Sequence, residues 1–141
     1  MLMALQAGAS GIDWTPVPGL IGSDLVRVRP DFKVVEDPYQ GGRQVVLVPA
    51  LRPDFALVHA RRADERGNLV IGTVYDDRLL MQAARTVIAS VERVGAGATE
   101  RLHGDEQLVP GSFVDVIVVA GYESSGGAAA GYLEQVAAVH P

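Results

Sequence analysis

Four short apolar segments constrain most strongly how this chain of 141 residues folds. They comprise residues 44–48, 55–60, 86–91 and 114–120, and each has the length and the side chains typical of a β-strand. Segments this apolar predict strands that are covered on both faces, as in a parallel or mixed sheet. The chain also has 16 glycines and 8 prolines, which indicate many turns. We therefore predict an α/β fold with a mixed β-sheet flanked by helices.

Helices and shorter strands complete the predicted organisation. We predict a first helix at residues 1–7, whose residues 1–5 are apolar on every side and therefore favour burial. Asp76 or Asp77 can begin a second helix, because apolar residues then recur at helical spacing through residue 84. The remaining predictions are strands at 12–17, 33–36 and 69–71, loops at 61–66 and 95–108, and a final helix at 128–140. We expect a single domain over residues 1–141.

Composition and charge exclude several classes of function. The chain has no cysteine, which excludes disulfides, thiolate metal sites, iron–sulfur clusters and a cysteine nucleophile. Its net charge of −5 argues against a nucleic-acid binder, which usually carries a basic face. No unbroken apolar run is longer than residues 116–120, whereas a membrane-spanning helix needs about 20 residues. We expect a cytoplasmic protein that binds neither nucleic acid nor membranes.

The histidines and paired aspartates give no metal signature. His59, His103 and His140 are far apart, and none has a partner at the helical spacing of zinc ligands. His59 closes an apolar strand, where we expect a hydrogen-bonded residue, with an active-site or interface role as the alternative. Asp76 and Asp77 are interpreted as helix caps rather than as a metal pair. We therefore predict no metal site.

Glu123 is the one catalytic candidate that the residues themselves suggest. It lies in a loop rich in glycine and serine, residues 121–127, directly after the predicted strand 114–120. Open α/β sheets place reactive groups at such positions, although a solvated surface loop has the same composition. The other charged groups are interpreted as solvated loop residues: Asp105 with Glu106, and Arg61 and Arg62 with Arg66.

Several short motifs follow one another in a fixed order over residues 7–120. The most specific is PALRPDFALVHARRADERGN at residues 49–68. The others are PGLIGSDL at 18–25, DPY at 37–39 with Gly41, and AA at 83–84 before VI at 87–88 and VE at 91–92. Together they resemble the alpha subunit of family I coenzyme A transferases, which include glutaconate and 3-oxoacid CoA-transferases.

This resemblance implies a fold, a substrate and a partner. The fold is the mixed α/β fold shared with the wider transferase and sugar-phosphate isomerase group. The substrate is a coenzyme A thioester, and no bound cofactor is expected. In this family the attacking glutamate belongs to a beta-type subunit, where it forms an acyl anhydride and then a glutamyl–CoA intermediate. The resemblance therefore carries no catalytic residue over to this chain.

Two groups of residues match family motifs with roles other than catalysis. Gly22 and Ser23 match a loop that lies towards the pocket in relatives, which implies contact with the substrate. Asp64, Gly67 and Asn68 match a recurring turn, which implies a structural role. Gly67 would supply a positive φ angle there, and Asp64 or Asn68 would accept hydrogen bonds from backbone N–H groups.

The sequence also departs from the family pattern. A glycine-rich motif of the alpha subunit normally lies upstream of the segment that resembles residues 1–25. Tyr39 and Gly42 stand where the family usually has the Phe and the final Glu of Pro-Phe-x-Gly-Glu. We therefore expect the C-terminal portion of a subunit, with another chain supplying the N-terminal half, in an oligomer with a beta-type subunit.

Three functions stay open at this point. The first is a subunit that takes part in transfer of CoA between carboxylic acids. The second is a subunit of a related acyl-CoA hydrolase, lyase or decarboxylase on the same scaffold, since a fold does not fix a function. The third is a non-catalytic assembly module left by truncation.

Overall fold

The computed structural model describes residues 1–74, 76–120 and the backbone of residues 133–138. The chain forms two compact units, Met1–Arg52 and Pro53–Pro141. The single domain expected over the whole chain stays a prediction. Within the described residues, no helix is long and apolar enough to cross a membrane.

The first unit is built on a three-stranded antiparallel sheet. Its elements are α1 (Leu2–Ala9), β1 (Trp14–Val17), α2 (Asp24–Val28), β2 (Lys33–Glu36) and β3 (Gln44–Pro49). The strand order is β1–β3–β2. Because side chains alternate along a strand, Val46 and Val48 of the central β3 face a small core with Ala4 of α1. Val45 and Leu47 lie on the opposite face of β3.

The described residues of the second unit form two sheets and a helix. Its elements are β4 (Phe55–Ala60), β5 (Arg62–Ala63), β6 (Leu69–Gly72), α3 (Asp77–Ala83), β7 (Thr86–Val91), β8 (Glu106–Val109), β9 (Val116–Ala120) and β10 (Leu133–Ala138). One sheet has the order β10–β9–β7–β4, with β4, β7 and β9 parallel and β10 antiparallel. The other is the antiparallel sheet β5–β6–β8. The predicted mixed α/β architecture is confirmed.

One face of the four-stranded sheet is buried in the core. On the opposite face, the side chains of the edge strand β4 are exposed. Ala56 and Val58 of β4 belong to the main core, together with residues of β6, α3, β7 and β9. The intervening Phe55 and Leu57 are 63% and 73% exposed. The expectation that the apolar strands are covered on both faces is therefore wrong for β4. Buried and exposed residues alternate along β4, as in a half-buried strand, and its large apolar residues Phe55 and Leu57 face outward.

The predicted final helix at residues 128–140 is wrong over its described part. Strand β10 pairs antiparallel with β9, and Val136 lies opposite Val118. The edge of β9 offers a row of backbone hydrogen bonds, and a helix of this length is only marginally stable by itself. The sheet therefore overrides the helical spacing of the apolar residues. Residues 128–132 and 139–140 lie outside the described residues.

The predicted loop at 61–66 contains the whole of β5, and the predicted loop at 95–108 contains the first part of β8. Strand β5 pairs with the nearby buried β6 in a short hairpin, whereas β8 pairs with β6 across a long separation in sequence. The segments are too short to show a hydrophobic period. Helix α2 was likewise not predicted. The other predicted strands and the first two predicted helices are confirmed to within a few residues.

Candidate functional site

The turn that contains Asp64, Gly67 and Asn68 is held together by the Asp64 carboxylate. It accepts hydrogen bonds from the backbone N–H groups of Arg66 (2.9 Å) and Asn68 (3.0 Å) and from the Thr99 hydroxyl (2.7 Å). Gly67 has a φ of +80°, a conformation that favours glycine. Burial raises the pKa of Asp64, but the hydrogen bonds from Asn68 and Thr99 lower it below its ordinary value.

Asn68 joins this turn to the segment before β9. Its side-chain N–H donates to Asp64 Oδ2 (2.8 Å), and its Oδ1 accepts from the backbone N–H of Gly111 (2.9 Å). A Cβ atom on Gly111 would overlap the carbonyl oxygen of Arg66, so the two backbones approach closely. The side chains of Asp64 and Asn68 therefore make their hydrogen bonds within the chain.

Arg62 and Glu106 form a buried ion pair beside the same turn. Each carboxylate oxygen of Glu106 accepts a hydrogen bond of 2.7 Å from the Arg62 guanidinium group. The two side chains are only 9% and 2% exposed. The interpretation of both residues as solvated is therefore wrong. No sequence signal connects them, because they are 44 residues apart and become neighbours only when β5 and β8 pair with β6.

The ion pair also anchors the loop between β7 and β8. Arg62 donates to the carbonyl oxygens of Ala98 (2.6 Å) and Arg101 (2.7 Å), and the His103 backbone N–H donates to Glu106 Oε2 (3.0 Å). Hydrogen bonds from Arg62 and His103 hold the pKa of Glu106 far below its usual range. A carboxylate bound on all sides in this way is a poor nucleophile.

Three polar side chains meet at the carboxyl ends of β4 and β7. His59 Nδ1 lies 2.9 Å from the Ser90 hydroxyl, and His59 Nε2 lies 3.9 Å from Glu92 Oε1. The expected hydrogen-bonded role of His59 at a strand end is confirmed. Open α/β sheets place ligands at the carboxyl ends of their strands, and an imidazole between a hydroxyl and a carboxylate can carry a proton.

A largely apolar groove of about 440 Å³ lies within the first unit. Its walls include Trp14, Tyr39 and Leu47, and the Asp37 carboxylate fixes one rim by accepting the backbone N–H groups of Tyr39 (2.9 Å) and Gln40 (3.2 Å). Grooves of this size and polarity suit the apolar part of a small ligand.

Gly22 and Ser23 lie in an exposed turn of the first unit. Gly22 has a φ of +79°, and nothing lies within 4 Å of the position that a Cβ atom would occupy. The Ser23 hydroxyl donates to the carbonyl oxygen of Leu20 (2.7 Å) at the start of α2. Their predicted contact with substrate stays a prediction. Glu123, the catalytic candidate, lies outside the described residues.

In the part of the chain that the structure describes, no group of three or more histidine, cysteine or acidic residues is placed to hold a metal ion. The structure brings Asp64, Gly67 and Asn68 together in the second unit, whereas Gly22 and Ser23 belong to the first. Among its described residues, the second unit presents hydrogen-bonded carboxylates and two exposed imidazoles, those of His59 and His103.

Comparison with known proteins identifies the family. The sequence profile of the family described as coenzyme A transferase matches residues 1–120. The A-type subunit of 3-oxoadipate CoA-transferase from Pseudomonas knackmussii is 36% identical over 89 residues. The crystal structure of the decarboxylase AibA/AibB is 42% identical with a TM-score of 0.71, and that of glutaconate coenzyme A-transferase from Acidaminococcus fermentans is 29% identical with a TM-score of 0.74. The chain belongs to the coenzyme A transferase family.

The chain spans less than half the length of these relatives. The match covers 62% of this chain but 31% of the Pseudomonas protein. It covers 85% of this chain but 43% of the decarboxylase chain, and 86% of this chain but 43% of the glutaconate enzyme chain.

Proposed function

We propose that this chain forms part of the A-type subunit of a CoA-transferase and takes part in moving CoA between carboxylic acids. The observation that carries the proposal is the family match over residues 1–120, together with similarity to the A-type subunit of 3-oxoadipate CoA-transferase. The substrate is then a coenzyme A thioester, and no bound cofactor is required. The predicted cytoplasmic location stays a prediction.

The reaction needs a carboxylate that can reach a thioester carbonyl. Its oxygen attacks the carbonyl carbon and displaces the CoA thiolate, which leaves an acyl anhydride on the enzyme. The thiolate then attacks the enzyme carbonyl and releases the first acid, which leaves an enzyme–CoA thioester. A second acid reverses these steps. An oxyanion forms at each attack and requires nearby hydrogen-bond donors.

The engaged carboxylates of the second unit favour a nucleophile on a partner. Asp64 accepts four hydrogen bonds, three from its own turn and one from Thr99, and Glu106 is held by Arg62. For either carboxylate to attack a thioester, these hydrogen bonds would have to break. We therefore propose that a B-type subunit supplies the attacking glutamate and that activity also requires the part of an A-type subunit that this chain does not match.

The first unit would contribute to the substrate pocket. Gly22 leaves open space beside its backbone, and a substrate group can approach such a backbone closely. We propose that Gly22 and Ser23 contact the substrate and that the groove beside Trp14 and Tyr39 takes its apolar portion. Replacing Tyr39 by serine should then raise KM more than it lowers kcat.

The test is reconstitution with the candidate partners. The chain, a B-type subunit, and the complementing A-type polypeptide would be assayed singly and together. A panel of acyl-CoA thioesters would be offered with a second carboxylic acid, and the CoA products identified by mass spectrometry. The proposal predicts CoA exchange only in the complete complex. Exchange by this chain alone, or none by a fully assembled complex with any acid of the panel, would contradict it.

A second candidate is a decarboxylase on the same scaffold. The observation that favours it is the 42% identity with the AibA/AibB decarboxylase structure, which is higher than the 29% identity with the glutaconate enzyme. The same mixtures distinguish the two activities. Decarboxylation releases carbon dioxide and needs no acceptor acid, whereas transfer stops when the second acid is left out. A hydrolase would release free CoA in the absence of that acid, and an assembly module would give none of these products.

A further inference from the structure

The loop that follows β7 forms a cleft of about 590 Å³. Residues 93–98 line it, together with three polar residues further along the loop, Glu100, Arg101 and His103. Strands β4 and β7 are parallel, and the chain enters the cleft two residues after the end of each of them. The cleft therefore lies at the carboxyl ends of these strands, where open α/β sheets bind their ligands. We call it the basic cleft.

The charge in the basic cleft is opposite in sign to that of the chain. The chain has a net charge of −5, whereas the cleft has the guanidinium groups of Arg93 and Arg101 against the carboxylate of Glu100. Among the described residues, neither arginine forms an ion pair. The buried Arg62 also lines the cleft, but Glu106 neutralises its charge. Two arginines without a carboxylate partner are suited to bind an anion.

Hydrogen bonds fix the backbone that carries these arginines. The N–H group of Ala63 donates to the carbonyl oxygen of Arg93 (3.0 Å), and the N–H group of Gly95 donates to the carbonyl oxygen of Ala63 (3.1 Å). The side chains of Arg62 and Asp64 hold the following part of the loop. The backbone of the cleft is therefore ordered before a ligand arrives, which reduces the entropic cost of binding.

Backbone donors add to the two arginines. Ala96 and Gly97 line the cleft, and their N–H groups donate to no acceptor among the described residues. Successive N–H groups in a tight turn form a favourable environment for an anion, as in phosphate-binding loops. The carboxylate of Glu100 lies beside this turn, because a Cβ atom on Gly97 would be 3.4 Å from it. Its negative charge opposes an anion in the same place.

We infer that the basic cleft binds the phosphate groups of coenzyme A. The inference rests on the proposed function, which supplies a substrate that carries a phosphate monoester and a pyrophosphate. These groups concentrate several negative charges, and arginine matches the geometry of phosphate oxygens. The groove beside Trp14 would take a different, apolar part of the same substrate. A carboxylic acid substrate is the other available anion, and the experiment below separates the two.

Phosphorus-31 NMR of coenzyme A, titrated with the full chain, tests the inference. The monoester and pyrophosphate signals are separate, so a shift or broadening of either one reports contact with phosphate. The double variant Arg93→Gln and Arg101→Gln should weaken binding at least roughly tenfold, because charge-assisted hydrogen bonds are lost. Arg85→Gln is the matched control, since Arg85 is an exposed arginine directly before β7, at the opposite end of that strand. It should leave the affinity unchanged, and circular dichroism checks that each variant is folded.

Glu100→Gln should have the opposite effect. It removes a negative charge from the basic cleft, so the affinity for coenzyme A should increase roughly threefold. A residue that only supports the fold of the loop would not strengthen binding when it is replaced. An unchanged or weaker affinity in this variant would contradict the inference.

Three other results would also contradict it. The first is an absence of any change in the phosphate signals when the chain is added. The second is an equal loss of affinity in Arg85→Gln and in the double variant. The third is displacement of coenzyme A by acetate at the concentration that inorganic pyrophosphate requires, which would assign the cleft to the acid.

Kinetics of the assembled complex separate this inference from the proposed function. The double variant should raise the KM for an acyl-CoA thioester but not for the corresponding acyl-pantetheine, which has no phosphate. A complex that exchanges CoA with an unchanged KM in the double variant contradicts only the inference. A complex that binds coenzyme A in the cleft but exchanges none contradicts only the proposed function.

Discussion

The Arg62 guanidinium group holds both carboxylate oxygens of Glu106 at 2.7 Å, although the two residues are 44 positions apart. This pair fastens β8 and the loop before it to β5. The same side chain reaches the carbonyl oxygens of Ala98 and Arg101, so one arginine organises the whole segment. Because the pair is buried, the stability of the second unit should depend on it more than on any exposed ion pair.

Replacing Arg62 by alanine should lower the free energy of unfolding of the second unit by about 3 kcal/mol. The substitution leaves a carboxylate buried without its main partner, which is the costly way to break an ion pair. Urea denaturation followed by circular dichroism measures the effect. Arg85→Ala is the matched control, because Arg85 pairs with Asp54 on the exposed surface of the same unit and should contribute less than about 1 kcal/mol. Equal effects of the two substitutions would contradict the burial of the Arg62 pair.

Stability should fall as the pH decreases below the usual carboxyl pKa. Hydrogen bonds from Arg62 and the His103 backbone lower the pKa of Glu106 from 4.5 in the folded chain. Below that pH the unfolded chain binds a proton that the folded chain does not, so protonation favours unfolding. The stabilisation is therefore complete above pH 4.5 and is lost progressively towards the folded pKa.

Glu106→Gln removes this titrating group while keeping the shape of the side chain. The urea midpoint of the variant should be lower than that of the unmodified chain at neutral pH, but it should change less between about pH 5 and pH 3. An unchanged pH dependence in the variant would show that other carboxylates cause the acid sensitivity.

Gly111→Ala should destabilise the second unit. The added Cβ would overlap the carbonyl oxygen of Arg66 and lie 2.9 Å from the carbonyl carbon of Gly67, so backbone atoms would have to move. We expect a loss of roughly 2 kcal/mol or more in the free energy of unfolding, which is typical of overpacking. Gly104→Ala is the control, since nothing lies within 4 Å of its Cβ position. If both variants unfold at the same urea concentration, the close approach of the two turns is not present in solution.

Gly8→Ala should be destabilising although alanine is the better helix former. The substitution in α1 gains about 1 kcal/mol of helix propensity. The new Cβ would overlap the carbonyl oxygen of Leu51, so the helix would have to move away from that segment. Trp14, the only tryptophan, reports unfolding of the first unit by fluorescence. A variant that is more stable than the unmodified chain would contradict this packing, and Gly19→Ala serves as the uncrowded comparison.

The sequence allowed prediction of elements whose signals are local. Residues 33–36 and 86–91 form strands with the expected bounds, because each is a short run rich in β-branched residues and set off from its neighbours by a turn or by the end of a helix. Residues 133–138 fit a helical spacing equally well, and only the free edge of β9 makes them a strand. Local patterns cannot reveal an edge that other segments create.

The same distinction applies to the candidate site. The motif containing Asp64, Gly67 and Asn68 could be recognised because its residues are close in sequence, and the structure places them in one hydrogen-bonded turn. The pair of Arg62 and Glu106 could not be recognised in the sequence, because two adjacent arginines in a polar segment are typical of a solvated loop. Burial of that pair depends on β5 and β8 meeting β6.

Chemical trapping of the enzyme–CoA intermediate tests the central claim most directly. The assembled complex would be incubated with an acyl-CoA thioester and quenched with hydroxylamine, which converts an enzyme-bound glutamyl thioester into a stable hydroxamate. Mass spectrometry would then locate the modified residue. We predict a modified glutamate on the B-type subunit, with none on this chain. Modification of a carboxylate within residues 1–141, or trapping by this chain in the absence of any partner, would contradict the account.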